Sequence, residues 1–191
     1  MSNAARLELL RHGDTGQRSY RGQIDDPLTE LGWRQLRATV KGLTWDGIVS
    51  STLRRCADFA RELAEAGNLP LRLDARLAEY HFGDWQGVPI ETLAAREPDA
   101  LERFWACPVR YPPPGAESFA TFRARLIAAL NDAAREAQAG RVLVITHGGV
   151  IRLLRCLIEE RDYGDMAGID VSHASLHSLS WPPASRMQAS A

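Results

Sequence analysis

The chain has 191 residues, of which 45% are apolar and 25% are charged, the balance of an ordinary soluble globular protein. This length predicts a single domain over residues 1–191, with a core that needs no metal or disulfide staple. Because 23 Lys and Arg are balanced by 24 Asp and Glu, the net charge of −1 argues against non-specific nucleic-acid binding.

The cysteines and the apolar segments predict the cellular compartment of the protein. The chain has an odd number of cysteines, and their spacing is not that of metal ligands; they are Cys56, Cys107 and Cys156. We therefore expect reduced structural thiols in a cytoplasmic protein. No apolar run approaches the roughly 20 residues of a membrane span. The N-terminus lacks a basic region followed by an apolar stretch, so no signal peptide is expected. We therefore expect no membrane partner. Residues 2–4 resemble an expression-tag remnant or, because Met1 precedes them, a native start.

The first half of the chain alternates short apolar runs with amphipathic segments. Apolar runs predict strands at 7–10, 48–50 and 71–73. Thr29 can cap the first helix because its hydroxyl accepts from a free amide of the first turn. Apolar positions then recur at helical spacing: Trp33, Leu36, Val40 and Leu43 in a helix ending near Gly42, and Leu53, Cys56, Ala60 and Leu63 in one ending at Gly67-Asn68.

Residues 80–117 are less regular. They contain helical patterns at 90–96 and 99–106, and a stiff turn at 112–115. Too few apolar residues are present for a separate core, so we expect this segment to cover one end of the sheet. A moving lid and a fixed wall are equally compatible with its prolines and tryptophans.

The last part of the chain predicts the layering. Ser118 can cap a helix that carries apolar residues on one face and ends near Gly140. The strand Val142–Thr146 is apolar enough to be buried on both faces, which is typical of a parallel sheet between helices. A helix from about residue 150 and a strand at 176–181 follow, and 184–191 is expected to be a disordered tail. The whole predicts an α/β fold, a three-layer α/β/α sandwich with a mostly parallel central sheet.

Two similar tripeptides follow two of these strands. Arg11-His12-Gly13 follows the first strand, and His147-Gly148-Gly149 follows the most apolar one. The carboxyl ends of strands in an open α/β sheet form the ligand site, so the two histidines are expected to meet. Arg54 and Arg55 follow the strand at 48–50 and would bring an arginine to the same edge.

This combination favours an anion pocket, most simply for phosphate. Arginine stays charged and donates two parallel hydrogen bonds to phosphate, and a neutral imidazole has a free nitrogen that can attack it. Each piece alone has an ordinary interpretation: a chance tripeptide, a capping or core histidine, and a solvated arginine face. Their joint placement at strand ends makes the pocket the better hypothesis.

Several segments resemble one known family. Leu10-Arg11-His12-Gly13-Asp14-Thr15 resembles the signature of the histidine phosphatase superfamily, which has the phosphoglycerate mutase-like fold. The resemblance continues through most of the chain in the same order. Its further segments are Asp26–Gly32, Ser50–Ala57, Leu77–Gly87 and Val144–Gly149.

The resemblance implies a role for each matched residue. His12 would be the phospho-accepting nucleophile, and Glu79 would be the general acid, then the base that activates water. Asp14, next to the nucleophile, is the competing acid. Arg55, rather than Arg54, aligns with the family's catalytic arginine. The implied substrate-binding residues are Arg11, Arg55, His147, Gly148, Thr15 and Gln23, of which Arg11, Arg55 and His147 also stabilise the reacting charge.

Substrate choice is less closely defined. Trp85-Gln86-Gly87, Phe104-Trp105 and Pro113–Ser118 resemble the α-ribazole phosphatase branch of cobalamin synthesis, although Gln86 and Ala116 replace its usual Glu and Gly. The implied function is a metal-independent phosphomonoesterase for a small phosphorylated metabolite, α-ribazole 5′-phosphate in the first instance. Alternatives are a broad small-metabolite or phosphosugar phosphatase, a phosphoglycerate mutase, which the short chain disfavours, and a non-catalytic phospho-ligand binding module.

No metal site and no cofactor are expected. His173 and His177 are four residues apart, as in some zinc sites, but the residues between them alternate like a strand rather than a helix. The sequence leaves the oligomeric state open.

Overall fold

A five-stranded sheet forms the centre of the computed structural model, which describes residues 5–137 and 140–182. The order across the sheet is β3-β2-β4-β1-β5. The first four strands in this order are parallel, and β5 runs antiparallel to β1. The mostly parallel sheet predicted from the sequence is confirmed. The strands are β1 (Ala5–Arg11), β2 (Gly47–Ser50), β3 (Leu71–Leu73), β4 (Val142–Thr146) and β5 (Leu176–Trp181).

Six α-helices and three short 3₁₀ segments connect these strands in the part of the chain that the structure describes. The helices are α1 (Glu30–Val40), α2 (Arg54–Gly67), α3 (Ile90–Arg96), α4 (Pro98–Ala106), α5 (Phe119–Ala137) and α6 (Gly148–Ile158). The 3₁₀ segments are Ala75–Leu77, Gly83–Trp85 and Tyr163–Gly168. The predictions for 2–4 and for the tail at 184–191 concern residues outside the described ranges.

Local capping explains where several helices begin and end. Thr29 accepts a hydrogen bond from the Gly32 amide at 3.1 Å, and Ser118 accepts one from the Thr121 amide at 3.0 Å, as predicted. Asn68 ends α2 in the left-handed conformation. The prediction that Leu43 continues the apolar face of the first helix is wrong. The helix ends at Val40, and Leu43 follows the turn beyond it with 39% of its surface exposed.

The two faces of the sheet are covered by different helices. Leu7 and Leu9 of β1 and Val142 and Val144 of β4 pack in one buried cluster with α5 and α6. On the opposite face, alternate residues of the same strands pack with α1 and α2; these are Leu10, Leu143 and Ile145. Every residue of β4 is buried, as its sequence predicted. The chain therefore has the three-layer α/β/α arrangement.

Residues 80–117 pack against the cluster that holds α5 and α6. Tyr80, Phe82, Trp85, Leu93 and Phe104 are all buried in it. The rings of Trp85 and Phe104 meet edge to face with centroids 5.5 Å apart, a favourable aromatic geometry. These contacts pack the segment onto the core of the protein.

The loop after β1 lies directly on the first turn of α1. The Thr29 amide donates to the Asp14 carbonyl at 3.0 Å. A Cβ atom added to Gly13 would overlap the backbone carbonyl oxygen of Gly32, and one added to Gly32 would overlap the carbonyl oxygen of Asp14. Two glycines thus allow backbone-to-backbone packing that fixes the chain immediately after His12.

We expect Gly13→Ala to destabilise the protein by about 2 kcal/mol, because the added methyl group meets backbone rather than a movable side chain. Urea unfolding would measure the loss. Gly168→Ala is the matched control, since a Cβ there has no neighbour within 4 Å, and its effect should stay within about 0.5 kcal/mol. Equal stability of Gly13→Ala and the control variant would contradict the close packing.

Candidate active site

The ends of β1 and β4 bring two histidines together. His12 follows β1 and His147 follows β4, and their ring centroids are 5.3 Å apart. The His12 amide donates to the Thr146 carbonyl at 3.0 Å, which continues the parallel pairing one step past β1. The adjacent parallel strands therefore determine the spacing of the two rings.

The His12 ring is held as a neutral base. Its Nδ1 lies 2.8 Å from the Gly13 carbonyl oxygen, a partner that only accepts, so Nδ1 carries the proton and Nε2 keeps its lone pair. Burial holds the pKa of His12 well below 6.5, and the charges of Arg55 and Arg11 lower it further. At neutral pH the ring therefore has a nitrogen available for attack.

His147 lies beneath the site and is fully buried. Its Nε2 is 2.8 Å from the Ser51 hydroxyl, and its Nδ1 accepts from Arg55 Nε at 3.2 Å. Burial, and then the charge of Arg55, hold the pKa of His147 well below 6.5. His147 is not among the residues that line the cavity described below, so in this arrangement it orients Arg55 and packs beside His12.

Arg55 is the buried member of the Arg54-Arg55 pair. It donates to the carbonyl oxygens of Ile24 at 2.7 Å and Gly22 at 2.6 Å, and only 1% of its surface is exposed. Arg54 lies on the solvent side of α2 and forms an ion pair with Asp58 at 3.4 Å. The two loop carbonyls and His147 thus aim the Arg55 guanidinium at the site.

Arg11 presents a second guanidinium to the site. One terminal nitrogen donates to the Val171 carbonyl, while its buried Nε has no hydrogen-bond partner within the described residues. Burial lowers the pKa of Arg11, against the opposing effect of Glu79. A buried donor without a partner is costly, and an anion in the cavity would satisfy it.

Glu79 and Asp14, the two candidate acids, differ in position. Glu79 lines the cavity, and its carboxylate accepts from the amides of Gly149 and Tyr80, each at 3.0 Å. Asp14 does not line it; its carboxylate accepts from the Thr29 hydroxyl at 2.7 Å and the Gly16 amide at 3.0 Å. Asp14 thus stabilises the loop, and Glu79 is the acid in reach of a ligand.

Arg125, which the sequence analysis missed, holds the backbone that carries Glu79. It donates to the carbonyl oxygens of Ala78 at 2.6 Å and Glu79 at 2.9 Å, and it forms a 2.6 Å ion pair with Glu117. Gly149 completes this support, because a Cβ there would lie only 2.5 Å from the Glu79 carboxylate. The position of Glu79 is therefore determined by α5 and α6 together.

A cavity of about 470 Å³ joins these groups. The predicted residues Arg11, His12, Thr15, Arg55, Glu79 and Gly148 line it. Gln23 is not among the lining residues, and its prediction as a substrate-binding residue stays a prediction. Its side-chain amide donates to the Glu79 carbonyl at 3.2 Å. Three aromatic residues, Tyr20, Phe82 and Trp105, also line the cavity and are here called the aromatic wall.

Several further polar residues that the sequence analysis did not predict for the site also line the cavity. They are Gln17, Ser19, Tyr20, Arg21, Arg152 and His173. Arg152 is one helical turn after Gly148, a spacing that could have identified it. His173 lies in the turn before β5, and its ring centroid is 5.6 Å from that of His12. Burial and the charge of Arg11 lower the pKa of His173, although Asp14 opposes this.

Residues 5–137 and 140–182 contain neither a metal-ligand cluster nor a membrane-spanning helix. No group of His, Cys, Asp and Glu in these ranges has the geometry to hold a metal ion. His177 lies within β5 and contacts the Ser175 hydroxyl at 2.8 Å, apart from His173. Within the same ranges, every helix is too short or too polar to cross a membrane.

Comparisons with known proteins point to one family. The model of the histidine phosphatase superfamily (branch 1) matches residues 7–188. The glucosyl-3-phosphoglycerate phosphatase of Mycobacterium tuberculosis is 36% identical over 202 residues, covering 95% of this chain and 89% of its own length. The bifunctional protein Rv2228c of the same species is 35% identical over 178 residues. That match covers 90% of this chain but only 49% of the relative, so the chain spans about half of that protein.

Solved structures of phosphatases also superpose on this chain. The mycobacterial glucosyl-3-phosphoglycerate phosphatase Rv2419c with inorganic phosphate superposes with a TM-score of 0.79 at 34% identity, covering 93% of this chain and 90% of that one. An Escherichia coli K-12 protein assigned provisionally as an alpha-ribazole-5′-P phosphatase superposes with a TM-score of 0.76 at 26% identity, covering 93% and 91%.

Lowering the pH from about 7.5 to about 5.5 should reduce the free energy of unfolding. Just below pH 6.5 the folded protein keeps His12 and His147 neutral, whereas the unfolded chain protonates them. The unfolded state therefore binds more protons as the pH falls. Urea unfolding at the two pH values would measure the change. In His12→Asn the difference between the two pH values should shrink by about 1 kcal/mol. An identical pH dependence in the variant and the wild type would contradict the lowered pKa.

Proposed function

Because the chain belongs to the histidine phosphatase superfamily, we propose that it is a phosphoric monoester hydrolase that passes the phosphoryl group of a small metabolite to His12 and then to water. One observation carries this proposal. A neutral imidazole with Nδ1 engaged by Gly13 lines a cavity that also holds two buried guanidinium groups and one carboxyl group. Nucleophile, charge stabilisation and proton donor are therefore within one cavity.

In the first step, His12 Nε2 attacks phosphorus and the bond to the ester oxygen breaks. Glu79 gives its proton to that oxygen, so the alcohol leaves neutral and a phosphohistidine remains. The hydrogen bond from Nδ1 to Gly13 orients the ring and stabilises the positive charge that develops on it. Glu79 must enter this step protonated.

In the second step, water attacks the phosphorus of the phosphohistidine. The Glu79 carboxylate takes a proton from the water, the phosphorus–nitrogen bond breaks, and inorganic phosphate leaves with His12 again neutral. The amides of Gly149 and Tyr80 donate to the Glu79 carboxylate and orient it for this step. The same carboxyl group thus acts first as acid and then as base.

The arginines supply the charge stabilisation that Mg²⁺ supplies in many phosphoryl-transfer sites. Arg55 is fixed by two carbonyls and His147, and Arg11 has an unsatisfied Nε, so both are oriented before the substrate binds. This preorganisation supports a metal-independent reaction.

The best-supported substrates are small phosphorylated metabolites in general. The sequence-based candidate, α-ribazole 5′-phosphate of cobalamin synthesis, is favoured by the aromatic wall, whose rings would pack against a heterocyclic base. A glucosyl-3-phosphoglycerate phosphatase is 36% identical to the chain, whereas the candidate ribazole phosphatase is 26% identical. These identities favour a substrate other than the ribazole ester.

A covalent label should appear on His12 when the enzyme is mixed with a radiolabelled phosphomonoester and quenched in base within milliseconds. Phosphohistidine is stable in base and labile in acid, so the label should be lost on acidification. His12→Ala should abolish both label and turnover, whereas His177→Asn, a histidine outside the cavity, should retain them. Turnover in wild-type protein with no label on His12 would exclude the covalent route.

Glu79→Gln should lower kcat for an alkyl phosphate by roughly 10²–10⁴-fold, because the poor leaving group needs the proton. The loss should be much smaller for p-nitrophenyl phosphate, whose leaving group departs as an anion. Asp14→Asn is the matched control, since its carboxylate is bound within the loop, and it should change kcat less than about tenfold. If steady-state rates show the opposite order, Asp14 is the general acid.

A further inference from the structure

The cavity has more positive charge than one phosphoryl group would neutralise. Four arginines line it, and Glu79 is the one carboxylate among the described residues that does so. Arg21 is neutralised by a 2.7 Å ion pair with Asp26. Arg11, Arg55 and Arg152 form no ion pair within the described residues, and Arg152 has no role in the proposed chemistry.

A bound phosphoryl group would leave one positive charge of the cavity without a partner. A phosphomonoester dianion carries two negative charges, and Glu79 is uncharged when it is ready to act as the acid. Three guanidinium groups then face two negative charges. One positive charge is left for a group elsewhere on the substrate.

Arg152 is fixed next to Arg11 although the two charges repel. Its Nε donates to the Ile169 carbonyl at 3.0 Å, which orients the group. A point at the Cβ position of Gly148 is 3.2 Å from a terminal nitrogen of Arg152 and 3.3 Å from Arg11 Nε. Two half-buried guanidinium groups this close to each other repel and destabilise the free protein unless an anion binds both of them. Such an arrangement is typical of a binding site.

Tyr20 adds a second donor to the lining of the cavity. Its hydroxyl oxygen accepts from Trp105 Nε1 at 2.8 Å, so its proton is free to donate. Burial raises the pKa of Tyr20, while the hydrogen bond from Trp105 and the charge of Arg152 oppose this. The Tyr20 hydroxyl thus gives the aromatic wall a polar group that can donate to a ligand.

We propose that Arg152 and the Tyr20 hydroxyl bind a carboxylate on the leaving-group side of the substrate, so that the preferred substrates are phosphomonoesters of hydroxy acids. The inference rests on the proposed function, because it takes His12 as the position of the phosphoryl group. A carboxylate matches the single surplus charge and accepts from a guanidinium and a hydroxyl together. Such substrates are favoured over α-ribazole 5′-phosphate, which has no second anionic group.

Two pairs of esters test the carboxylate contact: phosphoserine with phosphoethanolamine, and 3-phosphoglycerate with glycerol 3-phosphate. The first member of each pair has a carboxylate that the second lacks. In wild-type protein, kcat/KM should favour the first member by about tenfold or more, mainly through KM. Arg152→Gln should reduce this ratio to about one, and Tyr20→Phe should reduce it less.

Arg155→Gln is the matched control. Arg155 is on the same helix, forms a 2.8 Å ion pair with Glu159 and does not line the cavity, so the ratio should not change. If Arg152→Gln lowers the melting temperature, Arg152→Lys keeps the charge and should retain part of the ratio. An equal loss for both members of each pair would show that Arg152 binds the phosphoryl group, and would overturn the inference.

Calorimetric binding of the same four esters to His12→Ala separates this inference from the proposed function. Tighter binding of the carboxylate-bearing esters without any hydrolysis by wild-type protein would reject the enzyme and support the contact. Hydrolysis of all four esters by wild-type protein, with no preference in rate or binding, would support the enzyme and reject the contact.

Discussion

The site depends on an imidazole kept neutral among guanidinium groups in a buried setting. His12 is removed from water, and the charges of Arg55 and Arg11 oppose a further positive charge on its ring. Contacts with neutral groups offset the unfavourable free energy of placing these like charges together. The carbonyl oxygens of Gly22 and Ile24 hold Arg55, and the sheet holds the histidine backbone. As the proposed nucleophile, His12 would need no base to activate it, because burial and the neighbouring charges disfavour its protonated form.

Much of the fold was predictable because one strand constrains the rest. The uninterrupted apolar run of β4 required helices on both faces, and the structure places α1 and α2 on one face and α5 and α6 on the other. Parallel strands share a carboxyl edge, so His12 and His147 had to approach each other. Capping by Thr29 and Ser118 could be recognised because it involves neighbours in sequence.

The residues that were missed depend on contacts between distant segments. His173 reaches His12 only because the turn before β5 pairs with the loop after β1, where the Ala174 amide donates to the His12 carbonyl. Arg125 is on a helix face that looks solvated in sequence, but it binds three carbonyls of the segment leading to Glu79. Gln23 likewise donates to the Glu79 backbone, a contact between distant segments that its local sequence does not reveal. Side-chain direction in loops follows from packing, which no local pattern encodes.

The aromatic wall is built from the same rings that complete the core. Tyr20 and Phe82 have ring centroids 4.8 Å apart, and Phe82 packs in turn on Tyr80 and Phe104 within the buried cluster. Selectivity and thermal tolerance are therefore coupled in this protein, and an engineer who reshapes the wall for a new leaving group also weakens the body of the fold. Ile90 escapes this trade-off. It borders the cavity but remains 43% exposed, so it is one position where evolution or design can vary substrate preference at little risk to folding.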